Sequence, residues 1–359
     1  MAYTTIDKPS DYFDTKLYTG TGSNNITLTM DNVGWVWMKN RTNTGNHILM
    51  DIVRGGNNSN SQKPVLLSNT SGAEQGSDIT ATGGVAFGST STVIGSDNGG
   101  YNYNNSASSN YVAWHWGTGT SFTNDASSTS VGTIDSAGSV STAAGFSIIS
   151  YTGTGSTGTV AHGLGVKPSF LIYKNRATTD SWNVQHDGLT SYDYYVRFNS
   201  LGAQNNDIDV GPTAPTSSVV TVGSHAQQNG DGNAMILYAF AEKKGYSKFS
   251  SYTGNGNADG TFVYTGFKPA WILIKKTASN RWRIVDNKRP GYNTAINALF
   301  VELTQAETTA SGDEIDLLSN GFKLRGTSGN QNDSGGTYIY MAFAENPFVT
   351  STGVPATAR

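Results

Sequence analysis

The chain has 359 residues, of which 14% are charged and 36% hydrophobic, with 43 glycines, a net charge of −3 and no cysteine. That length suits two or three domains. The lack of cysteine excludes disulfides and thiolate chemistry, and the slightly acidic balance argues against nucleic acid, whose phosphates need clustered Lys and Arg.

Residues 1–16 contain Tyr3, Ile6, Tyr12 and Phe13 but no periodic pattern. They read as an N-terminal docking arm whose apolar groups need a partner's surface. Residues 17–120 follow as a first domain with strands predicted at 33–39, 46–53 and 111–116, each short, β-branched or aromatic and bounded by turn residues. Residues 121–145, rich in Ser, Thr and Gly, read as a linker. A second domain, 146–243, has predicted strands at 146–151, 169–174, 182–186, 194–198 and 235–241. The junction Ala241–Tyr246 leaves little slack. A third domain, 246–346, has strands predicted at 247–252, 261–265, 270–275, 281–285, 314–318, 321–325 and 338–343. Within it, Ile296, Leu299, Phe300 and Leu303 recur at helical spacing, which allows a short amphipathic helix over 294–308. Residues 347–359 form a C-terminal arm.

The three domains repeat one another. Leu17-Tyr18-Thr19-Gly20-Thr21-Gly22 recurs as Ser150-Tyr151-Thr152-Gly153-Thr154-Gly155 and Ser251-Tyr252-Thr253-Gly254-Asn255-Gly256. Each copy leads to an apolar run ending at Lys39, Lys174 or Lys275, the last two 23 residues beyond their tyrosines (174 − 151, 275 − 252). A period of 101 residues (252 − 151) is too long for a solenoid, so each copy is expected to be a domain with its own core. The fold class expected is all-β: tandem β-sandwich domains of jelly-roll or lectin-like type in three internal repeats.

Candidate chemistry is sparse. His47, His115, His162, His186 and His225 show no metal-ligand spacing, and His162 beside the Lys167-Pro168 turn reads as a structural hydrogen-bonding residue. There is no Gly-x-Ser-x-Gly elbow. The glycines after each tyrosine read as tight hairpins. Glu314 and Asp316 share a strand face in one repeat only and read as a solvated edge rather than a hydrolytic pair; Asp231 reads as a turn, without the alternating pattern of a calcium loop. Lys243-Lys244 and Lys275-Lys276 read as solvated strand ends. No catalytic residue, metal or cofactor is assigned. The best functional signal is aromatic: Trp182, Trp282, Tyr192, Tyr194 and Tyr195 near Arg197, with Tyr101 and Tyr103 in an Asn-rich stretch, are residue types that contact sugar rings or a partner. The equivalent positions of Trp182 and Trp282 across repeats favour core residues over a sugar platform.

The opening Ala2–Phe13, the recurring Tyr-Thr-Gly-x-Gly, the turn His162–Pro168, the run Gly321–Arg325 and the closing Ser351–Arg359 resemble a family of structural proteins of tailed bacteriophages, especially marine ones. The resemblance implies a non-enzymatic virion surface component, either a tail fibre or tail-associated module in host attachment or a capsid decoration protein; a polysaccharide-degrading surface enzyme is the further alternative. Other virion proteins are the expected partners, with anchoring through Tyr3, Ile6, Tyr12 and Phe13, homo-oligomerisation, and a host-surface glycan as a candidate ligand. The N-terminus lacks the regions of an export signal, and no run approaches a membrane span. The expected location is the virion, after synthesis in a host cytoplasm.

Overall fold

The computed structural model describes residues 2–55, 64–75, 85–95, 104–211, 213–309 and 311–356. The β-branched and aromatic runs form strands, and the chain is 44% strand against 3% helix, an all-β fold.

Three larger sheets share a four-strand antiparallel arrangement. In spatial order these strands are Phe13–Thr19, Asn110–Gly117, Val33–Asn40 and Ile48–Asp51 in the first sheet; Phe146–Thr152, Ala234–Phe240, Phe170–Asn175 and Asn183–His186 in the second; and Ser247–Thr253, Thr337–Pro347, Phe267–Lys276 and Trp282–Asp286 in the third. The registers agree as well: Trp37 faces Trp114, Ile172 faces Tyr238 and Leu273 faces Met341.

The central strands are apolar on both faces because both faces are covered. Side chains alternate across a strand. One set, Trp35, Trp37, Phe170, Ile172, Trp271 and Leu273, enters a single hydrophobic cluster shared by all three sheets. The other set turns outward beneath a smaller sheet. Val36 and Met38 meet Leu28, Val85 and Ile94; Leu171 and Tyr173 meet Val160 and Val220; Ile272 and Ile274 meet Val263 and Phe322. The expectation that each domain keeps a core to itself therefore needs correction, because the largest core belongs to all three segments at once.

Three further expectations are corrected. Residues 121–145 are not a free linker: Thr120–Asn124 and Ser136–Ser141 extend the second sheet as an ordered pair of strands beside Phe146–Thr152. Their apolar content is low because backbone pairing holds them. No helix forms over 294–308; Asn297–Phe300 pairs with Trp282–Asp286, and the edge of a sheet overrides the helical spacing. The N-terminal arm folds back on its own chain. Strand pairing begins at Phe13, whose ring stacks on Phe343 at 5.1 Å; Ile6 is buried, Tyr12 sets its edge against Tyr246, and the Tyr3 hydroxyl donates to the Gly266 carbonyl at 2.6 Å. The C-terminal segment meets it there, with Ser351 N–H donating to Asp7 at 2.6 Å.

Candidate functional site

The aromatic candidates scatter. Trp182 and Trp282 are fully enclosed and Tyr195 is buried, so none can offer a ring face to a sugar. Tyr192 and Tyr194 are half-buried, and Tyr101 and Tyr103 lie outside the described residues. Of the anchoring candidates, Ile6 and Phe13 belong to the shared core and Tyr12 packs against it, so the apolar surface that motivated both anchoring and self-association is largely covered within the chain. Lys275 is enclosed rather than solvated. His162 accepts from Leu164 N–H through Nδ1 at 3.1 Å, and its Nε2 lies 3.3 Å from the Thr216 carbonyl. Asp316 sits on the edge strand Ile315–Leu318 and accepts from Arg325.

The repeated Tyr-Thr-Gly-x-Gly carries the chain from a larger sheet to a smaller one, which corrects its reading as a hairpin. Its residues meet a buried asparagine that the sequence reading passed over. Asn105, Asn229 and Asn332 each accept a backbone N–H between the two glycines, from Thr21 at 2.7 Å, Thr154 at 2.8 Å and Asn255 at 2.9 Å. Each amide nitrogen then donates to two backbone carbonyls, those of Asn24 and Gly95, Ser156 and Gly223, or Asn257 and Gly326. The tyrosine hydroxyls of Tyr18, Tyr151 and Tyr252 donate to the carbonyl just before each asparagine. The glycines are required. A Cβ on Gly20, Gly153 or Gly254 would meet a carbonyl oxygen at 2.0, 2.1 or 2.5 Å, and Gly22, Gly155 and Gly256 have φ of +80°, +65° and +69°.

Between the sheets, polar ties close a ring. Trp182 donates to the Leu67 carbonyl at 2.8 Å, linking second sheet to first, and Trp282 donates to the Arg197 carbonyl at 2.7 Å, linking third to second. His47 holds the corresponding position in the first sheet. Its Nδ1 accepts from Trp37 at 2.9 Å, so Nε2 carries the proton and donates to the Phe300 carbonyl of the third segment at 3.0 Å. A second round keeps the direction at two junctions, where Tyr238 donates to Asp51 at 2.7 Å and Trp114 to Asp286 at 3.0 Å, and reverses it at the third, where His186 Nε2 of the second segment donates to the Tyr340 carbonyl at 3.1 Å. A third pairs backbones, Glu74 N–H to Arg176, Gln204 N–H to Thr277 and Glu307 N–H to Arg41. At two of these junctions the carboxylate also grips an arginine fork, Glu74 on Arg176 and Glu307 on Arg41, while reaching Arg54 or Arg289 of its own segment at 2.9 and 3.0 Å. Burial opposes charge on both glutamates, but the arginine hydrogen bonds and charges hold their carboxyls below the usual range. The junction between second and third segments has uncharged Gln204 and Thr277 instead.

Three buried lysines repeat with the rest. Lys39, Lys174 and Lys275 donate to the carbonyls of Asn40, Asn175 and Lys276, and Lys39 and Lys174 reach across to Thr304 and Ser71. Burial lowers each ammonium to about 8.

One open groove of about 820 Å³ lies on the third segment, lined by Lys268, Asn287, Lys288, Tyr292, Leu318, Asn346 and their neighbours. Tyr292 is 80% exposed. Lys268 pairs with Glu345 at 2.8 Å. The corresponding place on the second segment is closed: Lys167 pairs with Asp187 at 2.8 Å and stands over the Tyr192 ring at 5.1 Å, while the Tyr192 hydroxyl bonds Asp187. Phe170 opposite His186 and Trp271 opposite Asp286 set this correspondence. The groove opens where the connection from Ile284 to Leu299 spans 15 residues (299 − 284) rather than the 12 from Val184 to Val196 (196 − 184).

A family described as a domain of unknown function (DUF7483) has a model that matches residues 8–347. No curated protein and no solved structure matches the chain.

Proposed function

Because the chain belongs to that family of unknown function, we propose its role from its geometry: a triplicated β-sandwich scaffold, serving as a non-enzymatic structural protein on the surface of a bacteriophage particle. Each unit in this reading is a larger sheet beneath a smaller one, and the three stand about a pseudo-threefold axis. The observation that carries it is the closed ring of ties. Trp182, Trp282, His47, Asp51, Asp286 and His186 each spend a polar atom on a tie across a junction, while the Nε1 atoms of Trp35, Trp116 and Trp271 are buried in the shared core without a partner among the described residues; the work of the six is to hold three units rigidly together. A scaffold that must survive outside a cell needs that rigidity; an active site needs polar groups free to meet substrate.

A tail-associated station in host attachment is the first reading. Capsid decoration is the second, favoured by the ring itself, since a three-lobed module matches a threefold point of a shell. Immunogold labelling of intact particles with antibody to this chain is the test. Gold on tails supports the first station, gold on heads the second, and particles without label overturn the virion assignment. Release of reducing sugar from host polysaccharide by the purified protein would overturn the non-enzymatic reading.

A further inference from the structure

We propose that the groove beside Tyr292 binds an acidic saccharide. The second segment serves as an internal control. There the lysine, the acidic residue and the tyrosine close on one another, and the half-buried ring has the ammonium standing over it. In the third segment the connection is longer, Tyr292 stands exposed, and Asn287 stands where Asp187 closes the other site. A tyrosine 80% exposed beside a groove of about 820 Å³ leaves one ring face for the C–H face of a pyranose.

The polar lining fits hydroxyls. Asn287 and Asn346 each contribute an amide to the lining. The charge is not balanced: Lys268 is engaged by Glu345, whereas Lys288, exposed at the groove, makes no ion pair among the described residues. A carboxylate on the sugar would meet that ammonium. The site lends itself to attachment if the chain stands on a particle surface, but binding by the isolated protein does not depend on that station. Labelling of particles and titration of the protein can therefore fail independently.

The test is calorimetric titration of the intact protein with a panel of hexasaccharides of glucuronic, galacturonic and mannuronic acid, and with a neutral glucose hexasaccharide. Tyr292→Ala and Lys288→Ala change exposed side chains and are checked for unchanged melting. The expected result is saturable binding of at least one acidic hexasaccharide, weakened roughly tenfold by each substitution, with the neutral sugar bound less well by a similar factor. Absence of binding across the panel up to about 10 mM, or binding that neither substitution alters, would overturn the site. Equal affinity for neutral and acidic sugars would overturn the role of Lys288.

Discussion

At the scale of single residues, the asparagines under the repeated motif carry a load out of proportion to their size. Asn229 satisfies one backbone N–H and two carbonyls with a single buried side chain, and unmet buried groups are costly, each about 1–3 kcal/mol. Asn229→Ala is therefore expected to destabilise by roughly 2–4 kcal/mol, read as a shift in the denaturant midpoint; a change within ordinary surface variation would contradict the clasp. Gly153→Ala places a methyl 2.1 Å from the Gly230 carbonyl, and the forced backbone shift should cost about 1–3 kcal/mol. The same change at Gly165, where nothing lies within 4 Å, should instead cost only the strain of φ +71°, about 1–2 kcal/mol, so the two variants read a steric clash and backbone strain separately.

At the scale of elements, the three junctions share a geometry but differ in chemistry, which predicts unequal responses to similar substitutions. Glu307 is gripped by Arg41 and by Arg289, a guanidinium with no solvent exposure. Arg289 keeps Asp286 as a second buried carboxylate when Glu307 is removed, so Glu307→Ala should cost about 1–3 kcal/mol, the range for a charge-assisted hydrogen bond lost from a buried group. Gln204 occupies the corresponding place between second and third segments, where its side chain bonds only Thr190 among the described residues. Gln204→Ala should cost under about 1 kcal/mol. Equal midpoint shifts for the two variants would show that the arginine forks do not bear the junctions they join.

At the scale of the whole molecule, the shared cluster couples the segments. Trp35 packs against Tyr238 at 4.7 Å and Trp116 against Trp271 at 5.5 Å, contacts that cross from one segment to another. Large apolar side chains buried this way contribute roughly 1.5–3 kcal/mol each, so no segment can unfold without exposing its neighbours. Calorimetry should show one transition with matching calorimetric and van't Hoff enthalpies; three resolved transitions would mean independent domains. Stability should also peak in alkaline solution. Lys39, Lys174 and Lys275 sit near 8 in the folded chain through burial, below their unfolded value of about 10.4. The unfolded chain binds more protons between those values, so stability rises with pH across that window. Buried Tyr173, Tyr238 and Tyr246 are pushed well above 10 by burial, and their contribution is lost as pH passes 10. On the acid side, burial lowers His115 to about 3 and His162 and His186 to about 4, so stability falls as pH drops below about 6.5. Melting temperature measured from pH 4 to 11 should be greatest between roughly 9 and 10; a maximum at neutral pH would contradict the lysine environments.

The strands at 33–39, 170–174 and 270–275 were legible because β-branched and aromatic runs too short for helices have few other ways to pair their backbones. Repetition of Tyr-Thr-Gly-x-Gly was likewise on the surface of the sequence, and with it the expectation of equivalent strands. Alternation along a strand shows that two faces exist, not what covers each, so Trp182 and Trp282 read as core by their equivalence across repeats and as a platform by residue type, until the neighbouring segment was seen to supply the Leu67 and Arg197 carbonyls. Ser136–Ser141 escaped notice because its pairing is made by backbone atoms, which every residue carries alike. The ring joining His47, Trp182 and Trp282 shows no shared residue type at its first position. Only the fold brings a histidine and two indoles to the same place, because what the junction requires is one N–H aimed at one carbonyl, and different side chains can supply it.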